Sequence, residues 1–179
     1  MAAHPLDDVL DAARRRGMIG GAPNADVIDH ARRFVVALAD VQGAVLDLGS
    51  GAGLPGLVIA SDRPDLDVTL LDRRRKRTDF LEQMVRRLGW SDRVSVVAAE
   101  AEEFVGGAAA ARFSAAVARG FGPPEWVLGV ATCAVHIDGL VVVSDPPNGD
   151  RWTSIELTHP GVRRRELGIR GVSVFQRVE

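Results

Sequence analysis

At 179 residues, 46% hydrophobic and 26% charged, the chain can bury one sizeable core, and no apolar run approaches the roughly 18 residues of a membrane span. A net charge of -2 excludes a molecule that binds nucleic acid through its overall charge. The single Cys133 excludes an internal disulfide and a cysteine metal cluster, and the acids within MAAHPLDDVLDAARRR exclude a secretory signal, so the expectation is cytoplasmic.

Pro5 to Arg16 has Leu6, Val9, Leu10 and Ala13 at helical spacing, and Gly17–Pro23 reads as a turn. Asn24 or Asp26 is the expected cap of a second helix with an apolar stripe of Val27, Ile28, Ala31, Phe34, Val35 and Leu38. These helices, in residues 1–40, precede the first strand and predict an N-terminal extension to a core over 41–179, the whole forming one domain. From Val41 onward short apolar runs alternate with helical segments, the pattern of βαβ units.

The predicted strands are Ala44–Leu48, Val68–Leu71, Val94–Ala98, Ala115–Ala118 and Leu140–Val143. Their Val and Leu content, without polar alternation, suits strands covered on both faces. Helices fit Pro55–Ala60, Arg77–Leu88 and Glu125–His136, and Ala108–Ala111 is a loop or short helix. Val162–Ile169 and Val172–Val178 flank Arg170-Gly171, which predicts a tight antiparallel hairpin. The fold class is therefore α/β and Rossmann-like: a mostly parallel seven-stranded sheet, helices on both faces, and a C-terminal antiparallel hairpin.

The most informative segment is AVLDLGSGAGLPGLVIA, a buried strand, a glycine-rich turn and a helix opened by Pro55. Gly49, Gly51 and Gly53 permit a sharp turn and close approach of a ligand to the backbone. Asp72 follows Gly53 by 19 residues, at the end of the next strand, where an acid accepts hydrogen bonds from ribose hydroxyls. Gly51-Ala52-Gly53-Leu54-Pro55-Gly56 also matches the dinucleotide fingerprint G-x-G-x-x-G. Three features favour S-adenosylmethionine over a nicotinamide dinucleotide: the complete D-x-G-x-G-x-G pattern, the C-terminal hairpin, and Asp47. An acid at Asp47 suits the methionine ammonium and would repel a pyrophosphate.

Asp47–Gly56 (DLGSGAGLPG), Leu70–Leu81 (LLDRRRKRTDFL), Ala101–Phe104 (AEEF) and Val117–Phe121 (VARGF) stand in an order and spacing similar to the RsmG/GidB family. Those proteins are 16S ribosomal RNA guanine-N7 methyltransferases with a class I methyltransferase fold, and the resemblance covers roughly Val41 to Ser144. It implies that S-adenosylmethionine is held by Gly49, Leu54, the Ala101-Glu102 pair beside the adenine, and Arg119. With the loop reading, the expected cofactor-binding set is Asp47, Gly49, Ser50, Gly51, Gly53, Leu54, Asp72, Ala101, Glu102 and Arg119. Arg119 and Phe121 are the catalytic candidates at the substrate mouth, and no metal site is expected from the scattered His4, His30 and His159. The family's N-L-T and H-x-x-D-S segments have no counterpart beyond Val27-Ile28-Asp29-His30, and its Ser-Arg-Ala-Phe is here Ala118-Arg119-Gly120-Phe121.

Three acceptor readings remain open on the sequence. An RNA methyltransferase, with ribosomal RNA or the small ribosomal subunit as partner, predicts that Arg73–Arg77 and Arg163–Arg165 share the face of the cofactor mouth. A methyltransferase for a small molecule predicts a pocket lidded by Met18, Ile19 and Phe34. A non-catalytic binding module predicts weak or absent cofactor affinity. The arginine clusters alone fit phosphate recognition as well as solvated helix faces. Val143–Asn148 reads as a turn, Cys133 as a core residue of an apolar helix, and His136 as a cap at that helix's end.

Overall fold

A computed structural model describes residues 4–107, 109–146, 149, 152 and 161–179. Two helices, α1 (Asp7–Arg15) and α2 (Asn24–Ala37), lead into β1 (Ala44–Leu48), α3 (Gly56–Asp62), β2 (Asp67–Leu71), α4 (Arg75–Leu88) and β3 (Val94–Val97). There follow α5 (Ala101–Gly106), β4 (Phe113–Ala118), α6 (Pro124–Ala134), β5 (Val135–Ser144), β6 (Val162–Arg165) and β7 (Val172–Arg177). The seven strands form one sheet in the order β3-β2-β1-β4-β5-β7-β6. Strands β1 to β5 are parallel, β7 enters antiparallel to β5, and β6 pairs antiparallel at the edge.

Alternation along each strand sends side chains to two cores. Val45 faces a core shared with α1 to α4, whereas Leu46 and Leu48 face the core under α5 and α6. The N-terminal helices are part of the first core: Leu6, Leu10, Ala13, Phe34 and Leu38 are buried in the same cluster as the sheet residues. Pro23, not Asn24 or Asp26, occupies the cap position of α2, and no side chain caps it. Asn24 instead ties the two helices together, donating to the Asp11 carboxylate at 3.1 Å and accepting from Arg14 at 2.9 Å.

Several boundaries differ from the sequence reading. Pro55 is the residue before α3, and α4 starts at Arg75, closing on Gly89 in the left-handed region at φ 71°. Helix α6 ends at Ala134, so His136 lies in β5, exposed, and Cys133 is exposed rather than in the core. The register jumps from Phe113↔Val135 to Ala115↔Leu140, so His136–Gly139 bulges out of β5 with Asp138 at φ 69°. Helix α5 follows β3, with Ala101 and Val105 buried one turn apart. Six residues, Glu166–Gly171, join β6 to β7 in place of a tight reversal. Pro147 and Asn148 of the expected turn, Ala108 and His159 lie outside the described residues. No helix among the described residues is long and apolar enough to cross a membrane.

Because Leu10 is 1% exposed inside the main core, Leu10→Ala should cost about 3 kcal/mol through lost burial and a residual cavity. Urea unfolding should remain one transition with a lower midpoint; a separate early transition would show α1 to be an independent appendage.

Candidate functional site

The carboxyl ends of β1 to β4 meet where the strand order reverses, with β1 flanked by β2 and β4. Open α/β sheets bind ligands in the crevice at such a switch point. A cleft of about 840 Å³ lies there, within the size range of small-molecule sites. Its floor is the loop after β1, and its walls are the ends of β2, β3 and β4 together with the α1–α2 turn.

Two carboxylates hold the loop. Asp72, 4% exposed at the end of β2, accepts the Gly51 N–H through Oδ2 at 3.0 Å and the Arg74 N–H through Oδ1 at 2.9 Å. Arg77 comes within 3.4 Å of the same Oδ2. Oδ1 keeps a lone pair beyond the Arg74 N–H, and Oδ2 gains one when a hydroxyl displaces the longer Arg77 contact, so Asp72 can take hydroxyl donors from the cleft that it lines. Gly51 sits at φ 58°, and a Cβ there would lie 3.1 Å from the Arg77 guanidinium. A side chain would therefore meet both backbone strain and the wall.

Asp47 lies beneath the loop, not in the cleft. It is fully buried, absent from the cleft lining, and its Oδ2 accepts the Gly56 N–H at 3.0 Å at the start of α3. The direct contact with a methionine ammonium expected from the sequence is not available to a side chain so placed. Burial pushes its carboxyl up to about 7, partly opposed by the Gly56 hydrogen bond. Gly53 is also outside the lining; the space on its Cβ side is filled by Leu57 and Leu81, so it serves close packing of α3 and α4.

The other expected residues do come together: Gly49, Ser50, Gly51, Leu54, Asp72, Ala101, Glu102, Arg119 and Phe121 all line the cleft. Ser50 is 2% exposed and its hydroxyl donates to the Asp47 carbonyl at 2.9 Å, which fixes the turn. Arg119 is half-buried, which lowers its pKa from the usual arginine value, while Asp47 opposes that shift. The Phe121 ring lies on Gly49, where an added Cβ would be 2.1 Å from Cδ2.

Of the basic clusters, Arg73, Arg74 and Arg77 line the cleft, but Arg163–Arg165 occupy the edge strand β6, away from the mouth. There Arg165 bonds Gln176 and Arg164 bonds Ser173. Met18 and Ile19 line the cleft with Val27, whereas Phe34 is 0% exposed in the core and cannot serve as a lid. Sequence reasoning passed over Trp126, which lines the cleft from the first turn of α6 and donates its indole N–H to Glu102 at 2.6 Å. The available signal was a large aromatic in the polar first turn of a helix just after Arg119 and Phe121.

The fold is that of the class I methyltransferases. A solved methyltransferase from Geobacter sulfurreducens superposes with a TM-score of 0.72 at 14% identity, covering 99% of this chain and 92% of its own. Residues 25–143 match the profile of the GidB family, rRNA small subunit methyltransferase G, and the chain belongs to that family. The ribosomal RNA small subunit methyltransferase G of Frankia casuarinae is 42% identical over 113 residues, 62% of this chain and 43% of that protein. Its counterpart in Nocardioides sp. is 42% identical over 130 residues, 71% of this chain and 50% of that protein. The chain thus spans about half the length of these curated relatives.

The raised Asp47 pKa has a defined consequence for stability. The folded state keeps a proton that the unfolded chain releases near the ordinary value of 3.8, so this contribution is full below that pH and is lost as pH rises to about 7. Asp47→Asn keeps an acceptor for Gly56 without the buried charge. In thermal melts it should match wild type near pH 4 and exceed it by several degrees at pH 8. Parallel pH curves for the two proteins would show that Asp47 does not titrate in this window.

Proposed function

We propose that the chain is an S-adenosylmethionine-dependent methyltransferase acting on small-subunit ribosomal RNA, with guanine N7 as the acceptor atom. The observation that carries the cofactor reading is the cleft itself, with the Gly49–Gly51 turn and the Asp72 carboxylate at the β1–β2 ends and Ala101 and Glu102 at the start of α5, just after β3. This donor and acceptor set fits the cofactor: Asp72 for ribose hydroxyls, Ala101 and Glu102 for the adenine, and the Gly49–Gly51 turn that lines the cleft for the amino-acid end. When bound, the cofactor supplies a methyl group activated on a sulfonium.

Guanine N7 has a lone pair and no proton, so the chain needs no general base and its part is to orient the acceptor. Phe121, beside Trp126 at 4.9 Å between ring centroids, offers an aromatic surface for a flat base. Arg119, in the cleft with no hydrogen bond or ion pair among the described residues, is a cation available to cofactor or acceptor. Arg73 and Arg74, both exposed on the rim, suit an RNA backbone, and the family membership points the same way. Asp47 acts on this reading through the loop, as the acceptor that anchors the start of α3. A smaller acceptor draws support from Met18 and Ile19, which place an apolar wall on the α1–α2 side.

Labelled methyl transfer separates the two acceptors. Purified small ribosomal subunits that lack the modification should take up label, and a metabolite extract should not; label confined to the extract would overturn the RNA reading. Calorimetry tests the cofactor: Asp72→Ala should weaken S-adenosylmethionine binding by about a hundredfold or more, from lost charge-assisted hydrogen bonds. Gly51→Val should abolish it. Wild-type affinity in both variants would mean that the cofactor lies elsewhere.

A further inference from the structure

Trp126 has no role as ligand or catalytic group in the reading above, yet it joins residues that do. The Trp126 indole N–H donates to Glu102 Oε1 at 2.6 Å, joining the first turn of α6 to that of α5. Its ring packs on Phe121 with centroids 4.9 Å apart and planes inclined at 38°. Phe121 in turn rests on Gly49. Glu102, Trp126, Phe121 and Gly49 therefore form one continuous line of contact along the cleft, from the first turn of α5 to the loop after β1.

This arrangement has a cost that packing alone does not explain. Glu102 is exposed and Trp126 is 36% exposed, so free in solvent both side chains would sample several rotamers. A short hydrogen bond to a charged acceptor is among the stronger ones available to side chains. It uses one lone pair of one carboxylate oxygen and leaves the second oxygen to accept from another donor. Trp126 is itself kept in place from behind, since a Cβ on Gly122 would lie 3.0 Å from its ring atoms Cε3 and Cζ3.

Building on the cofactor reading above, we propose that Trp126 is a positioning residue for base recognition. It fixes Glu102 Oε1 so that Oε2 faces an exocyclic amine, and its ring braces Phe121 against Gly49. The ligand class selected at this end of the cleft is a 6-amino purine nucleoside in preference to a 6-oxo purine, because a carboxylate accepts from the amine and repels the carbonyl oxygen.

Calorimetry with S-adenosylhomocysteine and S-inosylhomocysteine, which differ at that position, reads the idea directly. Wild type should prefer the adenine ligand. Trp126→Phe keeps the ring against Phe121 but removes the donor, and should lower that preference about tenfold, the scale of a hydrogen bond to a charged group. Its ligand-free melting temperature should fall by no more than a few degrees, the scale of one exposed hydrogen bond. Glu102→Gln should reverse the preference: Trp126 holds the amide oxygen, which turns the amide NH2 toward the 6-oxo group. In the Trp126→Phe/Glu102→Gln pair the amide can flip, and the preference should vanish. Equal weakening of both ligands in Trp126→Phe, or unchanged binding, would overturn the positioning role. Wild-type protein that binds neither ligand would overturn the cofactor reading, and this inference with it.

Discussion

The carboxylate of Asp72 sets the geometry on which the cleft depends. It accepts the Gly51 N–H at 3.0 Å and the Arg74 N–H at 2.9 Å, so a single buried group joins the turn after β1 to the segment that opens α4. The Ser50 N–H, donating to the Leu71 carbonyl at 2.9 Å, continues the link between the two strand ends past the sheet itself. Asp47 completes the frame from below through the Gly56 N–H. Two acids thus hold a turn whose glycines would otherwise leave it loose. One is aimed upward at the cleft and the other is enclosed under it, and that difference separates their roles.

Much of this was legible in the sequence. Strands β1 and β2, the glycine turn and Asp72 were readable because unbroken apolar runs between glycines and acids have few alternatives in an α/β chain. The burial of Asp47 was not, because it depends on how close α3 approaches: a Cβ on Gly56 would lie 2.6 Å from the Asp47 carboxylate, a tertiary fact with no local pattern. The end of α6 is hard to place from sequence because neither Gly nor Pro stands between Gly129 and Gly139 to mark it. The assignment of His136 as a helix cap fails as a direct result, whereas Cys133 lies within α6 on a face that the mainly apolar stretch does not mark as exposed. Trp126 escaped notice because its partner, Glu102, lies 24 residues away on another helix. The grouping of Arg163–Arg165 with the cleft failed on topology, since β6 stands at the far edge of the sheet. Charges on an edge strand have a sufficient purpose there, in discouraging pairing with another chain.

The acceptor side has a mixed character that follows from its neighbours. Arg73 and Arg74 stand exposed on the β2 side, and Met18 and Ile19 form an apolar wall at the α1–α2 turn. Met18 and Ile19 pack against the main core that α1 and α2 share with the sheet, so that core supports the apolar wall from behind. The family profile matches from α2 to the end region of β5, so it includes Val27 of that wall but not the Met18-Ile19 turn.

The most direct measurement is a crystal structure of the protein with S-adenosylhomocysteine. Both ribose hydroxyls should lie on Asp72, the adenine beside Ala101 and Glu102, and the amino-acid end over the Gly49–Gly51 turn near Arg119. A nucleoside bound elsewhere, with Asp72 still engaged only by Gly51, Arg74 and Arg77, would contradict the central role given to that carboxylate.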